Sequence, residues 1–186
     1  MKHPSNQQFF AYWDEKRAGA RAPDRSEIEP EAVRELLPDI FVLCCDSAAS
    51  FPFRVAGTRL CALLGRDLKD RSFLELFTGD GRREIRDIIT VVTEEMLAAI
   101  AGITATSENG TPAHLELLLL PFSHRAHAPL SLTGLLAPFE IGYGGLHDFK
   151  LTSWRYFGHP PTERLVPRAL RKLRVARGLM VYEGLR

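Results

Sequence analysis

The apolar period of the sequence changes at Gly102, and that change confines the chain to folds that mix helix with sheet. Before it, Ile85, Ile88, Ile89, Val92, Met96, Leu97 and Ile100 recur at spacings of three and four, which predicts one long helix over residues 82–101. Arg83, Asp87 and Glu94 fall on its polar face. After Gly102 the period drops to two. Residues 103–107 and 113–122 read as strands joined at Asn109-Gly110, a tight-turn pair, and residues 130–141 read as a further strand beyond a loop of histidines and prolines.

The first half supplies two more strands. Residues 40–45, IFVLCC, are a continuous apolar run rich in β-formers, and residues 51–55 place Phe51, Phe53 and Val55 on one face. Asp46, Ser47 and the small residues after them turn the chain between the two, giving an antiparallel hairpin. Gly57 then provides freedom for a sharp exit into a short helix with Leu60, Leu63 and Leu64 at helical spacing, closed by Gly65. Residues 72–77 read as a single helical turn with Phe73, Leu76 and Phe77 inward. Upstream, residues 5–18 predict an amphipathic helix with Ser5 as N-cap and Phe9, Tyr12 and Trp13 on one side. Ser26 and Glu29 have capping-box spacing ahead of a helix that runs to Leu37. The expected fold class is α+β: a five-stranded antiparallel sheet, short helices and one long connecting helix on one face, and helical extensions at both ends.

At 186 residues the chain is long enough for one domain with a substantial core and two arms. A 45% hydrophobic, 25% charged composition excludes wholesale disorder. The formal charge of +1 conceals an asymmetry: residues 151–186 hold eight basic against two acidic residues, a net +6, which leaves the first 150 at −5. A basic arm on a mildly acidic body suits nucleic acid, an anionic membrane or an acidic partner, as well as a plain solvated face. Cys44, Cys45 and Cys61 read as reduced, buried thiols. The N-terminus has no apolar signal region and no segment approaches the roughly 20 apolar residues of a membrane span, so a cytoplasmic location is expected.

This order of elements resembles a PAS domain, with residues 37–141 carrying the likeness. The segment FRVAGTRLCALLGRDLKDRSFLELF is similar to the strand, helix and GRDL-type turn of a bacterial family of single-PAS-domain proteins. Tyr12-Trp13 and the approach to the first strand over residues 28–43 match that family as well. The resemblance implies three segments: an extension over 1–36, the PAS domain over 37–145, and a basic tail over 146–186. It also implies a sensory or regulatory module without catalysis, holding a small apolar molecule or a partner between sheet and helices. Fold analogy and apolar periodicity together give Phe53, Val55, Leu60, Leu64, Phe73, Phe77, Ile89, Leu117 and Leu119 as pocket-lining residues, for which plain core packing is the simpler alternative.

Other chemistry finds little support in the residues. A flavin adduct of this fold would need a cysteine in an NCRFL-like helix, and Cys61 in RLCAL lacks those neighbours, so flavin is not expected. Haem would need a histidine aimed inward; His114 opens a strand and His124 and His127 lie in a loop, so haem is not expected either. Cys44 and Cys45 point to opposite faces of a strand and cannot chelate together. His124 and His127 lack further ligands close in sequence, and no metal site is expected. There is no GxSxG and no Walker loop. Arg82 and Arg83, beside Gly79-Asp80-Gly81, could meet an anion at a helix start, and a helix start with a flexible entry explains the glycines equally well.

The tail reads as a basic amphipathic helix over residues 163–177 bearing Arg164, Arg168, Arg171, Lys172, Arg174 and Arg177. Arg164 and Arg168 have RxxxR spacing, but the DxSxxG partner of cyclic-dinucleotide binders is missing. No helix-turn-helix spacing accompanies it, and nucleic acid is not expected as a partner. The leading expectation is a cytoplasmic, non-enzymatic regulator, homodimeric, that binds a small apolar ligand or a regulatory protein partner and signals through protein–protein contact. The alternative is a ligand-free dimeric adaptor. It would pair through Phe9, Tyr12 and Trp13 and use the tail to reach a partner or an anionic membrane.

Overall fold

The computed structural model describes residues 1–45, 50–124 and 129–157, together with the backbone of 170–176 and 179–184. Helix α1 spans Pro4–Lys16 and is followed by 3-10 turns at Arg25–Glu27 and Pro30–Val33. Strands β1 (Ile40–Cys45) and β2 (Phe53–Ala56) lead to α2 (Thr58–Leu64), a 3-10 turn at Phe73–Leu76, and α3 (Gly79–Glu94). Strands β3 (Ala98–Thr106), β4 (Pro112–Pro121), β5 (Leu130–Pro138) and β6 (His147–Phe157) follow, and β7 (Leu170–Ala176) pairs with β8 (Leu179–Gly184). The main sheet is antiparallel, in the order β2-β1-β5-β4-β3-β6.

Both faces of the sheet are covered, which explains why residues 113–122 read as an unbroken apolar run. On β4, Leu115, Leu117 and Leu119 enter the core beneath α2, α3 and the turn at Phe73–Leu76. Leu118 and Leu120 enter a second core on the opposite, outer face with Phe9 and Trp13 of α1, Val33 and Leu36. A strand buried on both sides loses its alternation.

Most of the expected elements hold in kind and shift at their ends, while two expected helices do not form as such. The sheet has six strands where five are expected, because β6 lies wholly beyond the expected domain boundary at residue 145 and pairs along β3. Helix α3 stops at Glu94, and Ala98 and Ile100 belong to β3, with the positive φ of 52° at Met96 marking the turn between them. The side chain of His3, and not Ser5, caps α1 by accepting the Ser5 N–H. The capping box is Asp24 with Glu27, on a 3-10 turn, and no α-helix follows to Leu37. Over 170–176 the tail is extended and not helical; Val175 there and Val181 and Tyr182 opposite are residues that favour strands. Residues 158–169, 177–178 and 185–186 lie outside the described residues, as does the turn at Asp46 and Ser47.

Gly57 serves a purpose other than a sharp exit. Its backbone is ordinary, φ −66° and ψ 155°, but a Cβ there would stand 2.2 Å from the carbonyl oxygen of Pro38. The close approach lets Gly57 N–H donate to Ile40 O at 2.9 Å and Leu60 N–H donate to Pro38 O at 3.1 Å. Those bonds fasten the start of α2 to the chain entering β1.

Candidate functional site

The space between sheet and helices is where the expected pocket residues meet. Phe41 of β1, Phe53 of β2, Phe73 and Phe77 around the 3-10 turn, and Phe149 of β6 form a continuous series of ring contacts. Centroids lie 5.3 Å apart for Phe41–Phe73, 5.5 Å for Phe53–Phe73, 5.7 Å for Phe73–Phe77 and 5.8 Å for Phe77–Phe149. Tilted and offset arrangements at these distances are the favoured aromatic geometries. Leu60, Leu64, Ile89, Leu117 and Leu119 close around the rings, so eight of the nine expected residues are buried in one core.

Val55 is the exception, 49% exposed. The register between β1 and β2 slips at this point: Leu43 pairs with Phe53, while the next residue back, Val42, pairs with Val55, leaving Arg54 extra. A bulge breaks the two-residue alternation and turns the side chains after it. Phe53 therefore points inward and Val55 does not.

The expected docking aromatics are buried within their own chain. Phe9 and Trp13 are fully buried against Leu118, Leu120 and Leu135, which removes them from any dimer face. The Trp13 indole donates to Pro121 O at 3.0 Å, and the Tyr12 hydroxyl accepts the Glu29 N–H at 2.8 Å. Tyr12 alone remains partly accessible.

Glu116 of β4, which sequence reasoning missed, holds the other end of α1. Its carboxylate accepts the N–H of Lys2 at 2.7 Å, the N–H of His3 at 2.9 Å and the amide of Asn6 at 3.1 Å. Burial works against its ionisation, but the His3 N–H, the Asn6 amide and the Lys2 N–H together outweigh it and hold the carboxyl below its ordinary 4.5. The visible signal was an acid inside the apolar run LELLLL. A folded-state value below the unfolded one gives stability that is present above pH 4.5 and lost as the pH falls through the folded value. We expect Trp13 emission, read in a Trp154→Phe background, to shift toward that of exposed indole on acidification. Glu116→Gln should flatten the profile; an unchanged acid transition in this variant would contradict the role.

The tested chemical groups do not converge. Cys61 is half-buried at the edge of the inner core, and His114 is exposed on β4. His124 donates Nε2–H to Thr93 O at 2.8 Å, while His127 lies outside the described residues. Arg83 pairs with Asp80, and Arg82 donates to Leu74 O at 3.1 Å and Phe77 O at 3.2 Å, so local partners occupy both. Among the described residues no three His, Cys, Asp or Glu side chains group as metal ligands, and no helix is long and apolar enough to cross a membrane. Arg164, Arg168 and Arg177 lie outside the described residues; Arg171, Lys172 and Arg174 are on β7.

Sequence comparison gives this module, a sheet with helices over one face and the N-terminal helix over the other, a family. The chain belongs to the PAS domain family, whose model matches residues 1–137 and so takes in α1. No curated protein matches the sequence. Among solved structures, similarity is found at low identity. The LOV protein of Rhodobacter sphaeroides is 16% identical, covering 72% of this chain and 67% of its own, with a TM-score of 0.45. The PAS domain of an HTR-like protein from Haloarcula marismortui is 22% identical over 59% of this chain and 88% of its own, with a TM-score of 0.42.

Proposed function

We propose that this PAS domain is a non-enzymatic, cytoplasmic regulator whose interior is structural and whose signal passes by contact with a protein partner. The observation that carries the reading is the run of ring contacts from Phe41 to Phe149. A flavin or haem needs an apolar slot with polar groups or an axial ligand aimed into it. Here mutually packed phenylalanines occupy the corresponding volume, and the residues present do not fit either group. The same packing favours partner contact over a small apolar ligand in that space. The burial of Phe9 and Trp13 disfavours a homodimer built on them, so the dimer of the alternative reading would need another face. The basic residues Arg164, Arg168, Arg171, Lys172, Arg174 and Arg177 suit an acidic partner surface more simply than a membrane.

The test has two arms. Purified protein should carry no visible flavin or haem absorbance and should show no saturable binding of added FMN; stoichiometric FMN would overturn the structural interior. In cells, in-situ cross-linking should join the full chain to a specific protein. Replacing the six tail residues with Gln should abolish that cross-link, and equal capture by the neutralised chain would overturn the role of the tail.

A further inference from the structure

The bulge that turns Val55 outward also carries Arg54 to the outer side of the β1–β2 corner. There Arg54 lines a cavity of about 460 Å3 with Arg25, which arrives from the 3-10 turn Arg25–Glu27 of the N-terminal segment. The hydroxyl residues Ser123 and Ser131 and the apolar Phe122 and Leu130 line the same space. The walls are fastened: Ser123 N–H donates to Pro23 O at 2.9 Å, and Phe122 N–H donates to Ser131 O at 3.3 Å.

The charged side chains in the described lining of this cavity are basic. No carboxylate is among its described lining residues. Among the described residues, neither Arg25 nor Arg54 has an ion pair, unlike Arg17, Arg59, Arg71 and Arg83, which do. In this cavity two guanidinium groups without an ion pair among the described residues, from elements nearly 30 residues apart, share one space. Planar guanidinium forks match phosphate and carboxylate oxygens, and two of them with hydroxyl donors suit a doubly charged group. The volume is within the range of small-ligand sites. Phe122 and Leu130 provide surface for an apolar body beside the charge.

The geometry points to a binding site for a small organic phosphate with an apolar or aromatic portion, on the sheet face opposite the phenylalanine core. It does not depend on the partner-contact reading above. The site joins β2 to the N-terminal segment, so occupancy ties that segment to the sheet.

Phenyl phosphate is the probe, with phenol as its neutral counterpart and inorganic phosphate as the bare anion, each titrated calorimetrically into the full chain. Phenyl phosphate should bind saturably and more tightly than inorganic phosphate, and phenol should not bind. Arg25→Gln and Arg54→Gln should each weaken phenyl phosphate about tenfold, and the double variant should abolish binding, whereas Arg86→Gln on the exposed face of α3 should leave it unchanged. Both arginines are exposed, so unliganded melting temperatures should match the parent and separate lost binding from lost folding. Bound phenyl phosphate should also slow amide exchange at Ser26 and Glu27. Absence of saturable binding at millimolar probe, equal affinity for phenol or inorganic phosphate, or unchanged affinity in the double variant would overturn the proposal.

Discussion

Phe73→Ala is expected to destabilise the folded chain by about 3–5 kcal/mol, the range for truncating a buried phenylalanine. Phe73 is the hub of the aromatic series, touching Phe41, Phe53 and Phe77, and is 2% exposed. The space left behind is walled by other rings and by β4 leucines that are themselves fully packed, so collapse to refill it is limited. Set against a typical domain stability of about 5–15 kcal/mol, this is a large fraction of the total. Urea unfolding should show the midpoint drop with the denaturant slope unchanged. A loss below about 1 kcal/mol would mean that the interior is looser than a core and would reopen it to a ligand.

Trp13→Ala is expected to cost about 3–5 kcal/mol as well, although the residue lies outside the minimal sheet-and-helix unit. The indole is fully buried on the outer face and makes the bond to Pro121 O, so its removal takes away both apolar cover and a donor. Trp13→Phe separates the two: it keeps most of the packing and should cost about 0.5–1.5 kcal/mol for the lost bond, plus a smaller packing term. If Trp13→Ala unfolds at the parental midpoint, α1 is not part of the cooperative unit. The family match over residues 1–137 agrees with counting α1 as part of the module.

Much of this was legible from periodicity. The helical spacing of Ile85, Ile88, Ile89 and Val92 marked α3, and Asn109-Gly110 marked the β3–β4 turn. Failures came where an irregularity disturbs the period. One is the bulge at Arg54, which overturns the simple alternation Phe51, Phe53, Val55. A second is the register slip opposite Gly102 in β6, where a Cβ on that glycine would meet Thr152 and Ser153. It splits the inward set into Phe149 and Leu151 before the slip and Tyr156 after it, and so hides an 11-residue strand from a two-residue template. The third is the helix-to-strand switch at Met96, where Leu97 and Ile100 continue the helical spacing by coincidence while tertiary pairing with β4 and β6 claims the backbone from Ala98. For the site, the apolar set was visible, but whether it surrounds a void or fills one is a matter of volume, which spacing does not encode. The convergence of Arg25 with Arg54 depends on long-range packing and leaves no local signature.

The strand order has a consequence for how the protein is made. β3, β4 and β5 are successive in the chain and adjacent in the sheet, so each pairing closes a short loop. β1 instead joins Ile40 to Leu135, across almost the whole domain. Closure entropy grows with separation, and long-range strand pairing is slow. During synthesis β1 and β2 leave the ribosome first, yet the edge that receives them exists only after β5 emerges. Throughout that interval Phe41, Leu43 and Phe53 stand uncovered on a hairpin that is marginal alone, which makes the wait for β5 the period of greatest exposure to misassociation.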